Sequence, residues 1–529
     1  MKTRIDNFLQ LPSMWKTVAL FIIILTLGIF ARVWEFGSLP AGLNPDEASI
    51  GVEAYYIYKF GMDRSGMSYP VHLISWGSGQ NALYAYLLIP FVALRGINEV
   101  SVRLPMLLSG ILSLPLVFMI GDRLFGRKYA FLAMFFLAIS PWHIVNNRWA
   151  VESNIMPFFF LAGFTALVMS GPKNGWFIAA LALFALCLYA YGTAYVGVPV
   201  FLLLVTPVLF YSKQLSVSQA IAGFLVFFLI AIPIALFVAV NTLQMDTLHL
   251  GLLTIPRLPV EARYETMTAV FGENPLAAIN QNAAIMVKTL WSQEDAFPWN
   301  FVAPFGYFYK YTLPLAAAGF LLTLPFIKLR ENWIERWFLF SWVAASLVIG
   351  ILHPVNLTRI NLIFTPILLC IALLLLKLDQ RYSFVLPATV LVLSVAFLFF
   401  NQAYHGEEYR KRASAIFNEG IIPAITFASE KDAAQICFTE QRYSLYIYVL
   451  LTQKYHPSEY LDQLEWLDPL DPADPARTPR ALMKYRFRLN DCAGDRDAIY
   501  ILTLKEEPPA SEIEYKEKKF GKFLVFLPK

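Results

Sequence analysis

The stretch "LNPDEAS", Leu43–Ser49, places two adjacent carboxylates, Asp46 and Glu47, just beyond the first long apolar run of the chain. As local structure, Asn44 is an N-cap, Pro45 the first helical residue and Glu47 the capping-box partner of Asn44. As chemistry, an ionised carboxylate beside a membrane span can take the proton of an attacking hydroxyl. Other titratable side chains recur beside apolar segments, where burying them is costly and a functional duty is the default expectation. Glu53 follows in the same stretch, and Arg103 opens the run "VSVRLPMLLSG". His143, Arg148 and Glu152 share "SPWHIVNNRWAVESN", His353 and Arg359 share "LHPVNLTRINLIFTP", and Arg257, Arg263, Lys288 and Lys310 lie between two later apolar runs. Guanidinium forks grip phosphate through paired hydrogen bonds. Carboxylates and arginines gathered at one interface therefore suit a charged lipid headgroup and a hydroxyl that must lose a proton. Each also has a structural reading: Arg103 as an interfacial anchor, Arg148 and Glu152 as a pair four residues apart on a helix surface, His353 as a loop residue before Pro354.

These residues need elements to position them, and the composition says those elements lie largely in lipid. The 529-residue chain is 57% hydrophobic and only 15% charged, with a mean hydropathy of +0.54. A soluble chain is nearer a quarter charged. A net charge of +4 is too small to suggest nucleic acid as a partner. Apolar runs suited to spanning fall near 17–35, 104–121, 128–141, 154–171, 175–191, 194–211, 217–240, 311–328, 334–352, 358–376 and 382–400. Lys and Arg concentrate in alternate loops: "GDRLFGRK", "GPKNG", "YSKQ", "KLRENWIER" and "KLDQR". By the positive-inside rule these face the cytoplasm, as does the N-terminus, whose apolar run lacks a cleavage site and reads as a retained anchor. Treating "NALYAYLLIPFVALRG" (81–96) as a further span would invert every later loop. It is therefore expected to lie at the interface, where Tyr84 and Tyr86 suit it, or to dip in and return, inside a first outer loop of about 36–102. A second long outer loop covers about 241–310.

After residue 400 the chain becomes charged and Pro-punctuated ("LDPLDPADPARTP"), with strand-like runs "AAQICF", "DAIYILTL" and "KFLVFLP". The expected fold is thus an α-helical polytopic membrane protein of about eleven transmembrane helices, residues 1–403, with a small extracytoplasmic soluble α/β domain over 404–529. Cys187 and Cys370 sit in apolar runs as packing residues; Cys437 and Cys492 could form a disulfide, which spacing alone leaves open. No Cys/His spacing suggests structural zinc, and there is no Gly-rich phosphate loop.

Taken in order, "LNPDEAS", "NEVSVRLPMLLSGILSLPLV", "GDRLFGRKYAFLAMFFLAISPWHI" and "NNRWAVESNIMPFFFLAGF" resemble the bacterial protein-mannosyltransferase and aminoarabinose-transferase superfamily, the polyprenyl-phosphate-dependent GT-C glycosyltransferases. The likeness is continuous over about 30–170 and looser through "HPVNLTRINLIFTPIL". The resemblance implies a GT-C fold and a catalytic acid in the first outer loop, which falls on Asp46 with Glu47 beside it. It implies a second acidic residue after the Arg of the loop between spans three and four, matching Arg148 and Glu152, with Glu in place of the more usual Asp. The family's His-Pro-Pro or Pro-Pro-Leu-Tyr element is replaced by "GSGQNALYAYL", which keeps only Leu83-Tyr84. The implied reaction moves one sugar from a polyprenyl-phosphate carrier, at the outer face, to an acceptor hydroxyl on a protein, glycan or glycolipid, with inversion. Asp46 would be the base, and Arg148, Arg359, Arg103 and His353 would hold the donor phosphate. Membrane lipid is a partner by construction. A divalent metal ion is an option on which family members differ. The competing reading is a transporter or flippase of a lipid-linked sugar, which commonly shows internal repeats and broken helices; neither stands out here. A non-catalytic scaffold would leave the clustered carboxylates and arginines unexplained.

Overall fold

The computed structural model describes residues 14–266, 268–269, 274–294, 297–324, 332–466, 479–492, 495–509 and 513–529. The basic N-terminal residues before 14, the start at 328–331 of the loop expected to face the cytoplasm and most of "LDPLDPADPARTP" lie outside the described residues. Two compact units result. The first gathers the described parts of Met1–Phe36, Met106–Ile234 and Tyr264–Tyr409; the second gathers Gly37–Pro105, Ala235–Arg263 and Arg410–Lys529. The division interleaves the chain instead of cutting it once after residue 403.

The first unit is helical. Each of the eleven apolar runs coincides with a helix, because uninterrupted apolar stretches can satisfy their backbone in lipid only by bonding within the segment. Seven helices are long and apolar enough to cross a membrane, among the described residues: Met14–Val33, Glu99–Phe125, Ala194–Tyr211, Val217–Thr242, Trp333–Leu352, Asn361–Asp379 and Val385–Tyr404. The helices Glu152–Val168, Trp176–Ala190, Arg127–Ile139 and Leu313–Leu321 have 17, 15, 13 and 9 residues. Phe160, Phe164, Phe184, Phe201 and Trp342 interlock with ring centroids 4.7–5.9 Å apart and form an aromatic core.

The second unit holds Gly37–Pro105, Ala235–Arg263 and the described C-terminal residues. Leu83–Arg95 is a helix of 13 residues, about 20 Å long at 1.5 Å per residue, too short for a hydrocarbon layer of about 30 Å. The C-terminal residues form a seven-stranded sheet in the order Tyr515–Phe520, Phe523–Pro528, Ile499–Thr503, Ile436–Phe438, Tyr485–Arg486, Pro479–Leu482, Leu464–Trp466. Ile436–Phe438 pairs in parallel with both of its neighbours, and the other pairings are antiparallel. The edge strand Tyr515–Phe520 reads "YKEKKF" with its four charged residues exposed, which discourages edge-to-edge association. Cys437 and Cys492 are joined by a disulfide across 55 residues, both buried. Cys187 and Cys370 are free and buried.

Candidate active site

The helix Pro45–Phe60 starts as its sequence directs. Asn44 sits in extended backbone, and its side chain accepts from the N–H groups of Asp46 (2.8 Å) and Glu47 (3.1 Å). Glu47 completes the capping box by accepting from the Asn44 N–H at 3.2 Å. The two neighbouring carboxylates then part company. Glu47 is fully buried and held by Arg103, whose Nε reaches Oε1 at 2.7 Å and whose Nη2 reaches Oε2 at 2.8 Å. The same guanidinium donates to the carbonyls of Pro40 (2.7 Å) and Gly42 (2.6 Å) and lies over the Phe417 ring. Asp46, one residue earlier, is half-buried. Its Oδ1 accepts from the indole N–H of Trp76 at 3.0 Å.

The C-terminal domain completes this corner. Tyr448, on the helix Tyr446–Gln453, donates to the Leu43 carbonyl at 2.7 Å and accepts from Asn418 at 3.0 Å. Gly42 has φ +83, and a Cβ there would collide with the Phe417 carbonyl oxygen. Only glycine meets both demands.

Two turns along the same helix is a second buried charge cluster. Arg64 donates to Ser49 Oγ at 2.6 Å and Ser75 Oγ at 3.4 Å, and its Nη1 lies 3.3 Å from Glu53 Oε1. Its guanidinium stacks 4.9 Å from the Trp76 ring and 5.9 Å from Tyr446. The Arg64 carbonyl accepts from Tyr460. Asp63 Oδ1 accepts from the N–H groups of Ser65 and Met67, both at 2.9 Å. Burial, reinforced by the Glu53 charge, nevertheless pushes the Asp63 carboxyl up to about 8. Burial also raises Glu53, against the opposing pull of the Arg64 cation.

In the first unit, Arg148 is fully buried, donates to the carbonyl of Trp34 at 2.6 Å and that of Arg32 at 3.3 Å, and lies 5.2 Å from the Tyr404 ring centre. Glu152 is buried at the first position of Glu152–Val168, whose N-cap, Val151, offers no side-chain bond. His143 Nδ1 is 2.6 Å from Nη2 of Arg32, a buried arginine that also donates to the carbonyls of Gly28, Leu137 and Ala138. His353 donates from Nδ1 to the Ile349 carbonyl at 3.1 Å. Arg359 is half-buried and donates to the Pro354 carbonyl at 3.0 Å.

Residues 22–249 match the family model described as dolichyl-phosphate-mannose-protein mannosyltransferase. No curated protein matches the sequence significantly. The fold is that of the GT-C glycosyltransferases. ArnT from Cupriavidus metallidurans aligns over 96% of this chain and 97% of its own at a TM-score of 0.56 and 11% identity in its apo crystal structure. Its undecaprenyl-phosphate-bound structure aligns over 97% and 98% at a TM-score of 0.57 and 12% identity. The oligosaccharyltransferase AglB from Archaeoglobus fulgidus, in complex with an inhibitory peptide and a dolichol-phosphate, aligns over 83% of this chain and 64% of its own, with a TM-score of 0.50 and 13% identity.

Within this GT-C frame the second unit brings Asp46, Glu47 and Arg103 together, while Arg148, Glu152, His353 and Arg359 all belong to the first. Arg103 departs from its expected duty. Its guanidinium is buried and engaged by Glu47 and two carbonyls, so the structure uses it to anchor a loop, and Glu47 is likewise a partner to it. Of the second-loop cations, Arg257 pairs loosely with Asp246 at 3.8 Å and Lys310 with Glu294 at 2.7 Å. Sequence reasoning missed Trp76, Arg64 and Tyr448. An isolated Trp or Tyr in a loop carries no spacing signal, although "GMDRSG" (61–66), with charges amid turn residues, could have flagged Arg64. Among the described residues no three His, Cys, Asp or Glu side chains converge to hold a metal ion.

Proposed function

We propose that the protein transfers a single sugar from a polyprenyl-phosphate carrier to an acceptor hydroxyl on the extracytoplasmic face of a cell membrane, with inversion at the anomeric carbon and Asp46 as general base. The observation that carries this reading is the divergence of the two adjacent carboxylates. Glu47 is consumed by Arg103, whereas Asp46 is half-exposed with one oxygen oriented by Trp76. In the step, the acceptor oxygen bonds to the anomeric carbon as the bond from that carbon to the phosphate oxygen breaks. The electron pair leaves with the carrier phosphate, and the acceptor proton passes to Asp46. A sugar phosphate is a competent leaving group, so the base is needed only as the new bond forms. Arg148 and Arg359 take the phosphate, Arg103 and Glu47 position the loop, and Glu152 and His353 support the phosphate side. The ArnT relative bound to undecaprenyl phosphate supports a carrier of that class.

The Lys/Arg alternation supports an outward-facing C-terminal domain, and the Cys437–Cys492 bond fits an oxidising compartment. One experiment tests the whole reading: purified protein is incubated with a panel of polyprenyl-phosphate sugars and carrier release is followed. Asp46→Asn is expected to lower transfer by roughly 10²–10⁴-fold, the contribution of a positioned base, with carrier binding retained. Neutral substitutions at Arg148 or Arg359 are expected to weaken carrier binding. A fully active Asp46→Asn variant sinks the base assignment; unchanged carrier affinity in the arginine variants sinks theirs.

A further inference from the structure

Asp46 cannot act as a base unless its carboxylate is aimed, and the capping box does not aim it. Asn44 binds the backbone N–H of Asp46, not its side chain. The side chain is oriented by Trp76, thirty residues away, through the 3.0 Å bond from the indole N–H to Oδ1. Trp76 is itself almost fully buried, 6% exposed. Its ring carries the Arg64 guanidinium on its face at 4.9 Å and meets the edge of Tyr446 at 6.4 Å. Arg64 is in turn tied to Ser49 and Ser75, which share Gln80. The arrangement is a chain of defined contacts: Ser49 and Ser75 to Arg64, Arg64 to the indole face, indole N–H to Asp46. Ser49 lies one turn after Asp46 on the same helix, so the chain closes back on the element that bears the carboxylate. A buried cation against an aromatic face is a strong locator of that ring, because the interaction strengthens as water is excluded.

We propose that Trp76 and Arg64 are positioning residues for the sugar transfer: Arg64 fixes the plane of the Trp76 indole, and the indole N–H holds Asp46 Oδ1 so that Oδ2 meets the acceptor hydroxyl. This rests on the reading of Asp46 as the base. Neither residue touches the sugar or the carrier phosphate in this account, and their contribution is to geometry at the proton-accepting oxygen. A misaimed base slows the chemical step without weakening substrate binding.

The test is a set of steady-state kinetics on the full chain in membranes or detergent. Trp76→Phe keeps an aromatic face for Arg64 and removes only the donor. It is expected to lower kcat roughly tenfold, a part of the 10²–10⁴ available from a positioned base, with KM for carrier and acceptor within about twofold of the parent. Arg64→Lys keeps the charge opposite Glu53 but loses the planar fork, and is expected to lower kcat in the same manner. The double variant should be no slower than the slower single one, since both changes break one chain. Parental kcat in Trp76→Phe, a loss expressed mainly in KM, or independent multiplication of the two losses overturns the proposal. Asp46→Asn separates this from the underlying reading. If that variant is inactive while Trp76→Phe is unchanged, the positioning role alone falls; if Asp46→Asn is fully active, both fall.

Discussion

The helices Pro45–Phe60 and Glu152–Val168 both carry an acidic residue in the first turn, and they begin in opposite ways. Pro45–Phe60 has a complete capping box, a buried ion pair at Glu47 and a hydroxyl from the far end of the chain on the Leu43 carbonyl. Glu152–Val168 starts from Val151, which cannot cap, and places Glu152 directly at the first position. The first start spends many side chains on fixing the loop and the helix that bear Asp46. The second sets its acid, buried, in the first turn of a helix, where a negative charge is stabilised by roughly 0.3–1 kcal/mol. A base that must meet a hydroxyl needs the first kind of start. A carboxylate that tunes its surroundings can live on the second.

The comparison can be broken or sharpened by substitution. The largest effect is expected from Arg103→Met, which leaves the buried Glu47 charge without its partner; such losses run to about 3–5 kcal/mol. Thermal or denaturant unfolding should show it, together with lost transfer. A variant of parental stability would show that the first start is not held by this pair. Next is Glu152→Gln, expected to slow transfer by less than about tenfold, well short of what removing a general base does. If its turnover falls as far as that of Asp46→Asn, the two starts are chemically equivalent and the contrast fails. The smallest effect belongs to Asn44→Ala, expected to cost about 1 kcal/mol of stability for the lost cap. Measured beside Trp76→Phe, it asks whether the cap supports the fold and the indole the chemistry. A kcat loss in Asn44→Ala larger than in Trp76→Phe would reverse that division.

Local rules were legible in the sequence and long-range ones were not. Asn44, Pro45 and Glu47 announced the helix start by type and spacing, because a capping box spans only four residues. Each of the eleven apolar runs overlaps a helix among the described residues. The strand-like runs "AAQICF", "DAIYILTL" and "KFLVFLP" all became strands. What failed was partnership at a distance. Arg103 looked like a phosphate ligand because nothing within its own segment could pair with it; its partner is 56 residues earlier. Trp76 was invisible because its role depends on Asp46 and Arg64 arriving at the same place. The Cys437–Cys492 bond was undecided for the same reason, since spacing says nothing about the 6.4 Å Cα separation that makes it feasible.

The Tyr448–Leu43 hydrogen bond joins residues 405 positions apart. A ribosome finishes the helix Pro45–Phe60 long before it makes the tyrosine that closes the preceding loop. A nascent chain halted after its last apolar helix therefore holds the carboxylate in an unfinished frame. Synthesis of the final hundred residues then acts as a timer, and truncation from the C-terminus should yield a membrane-inserted but dormant protein.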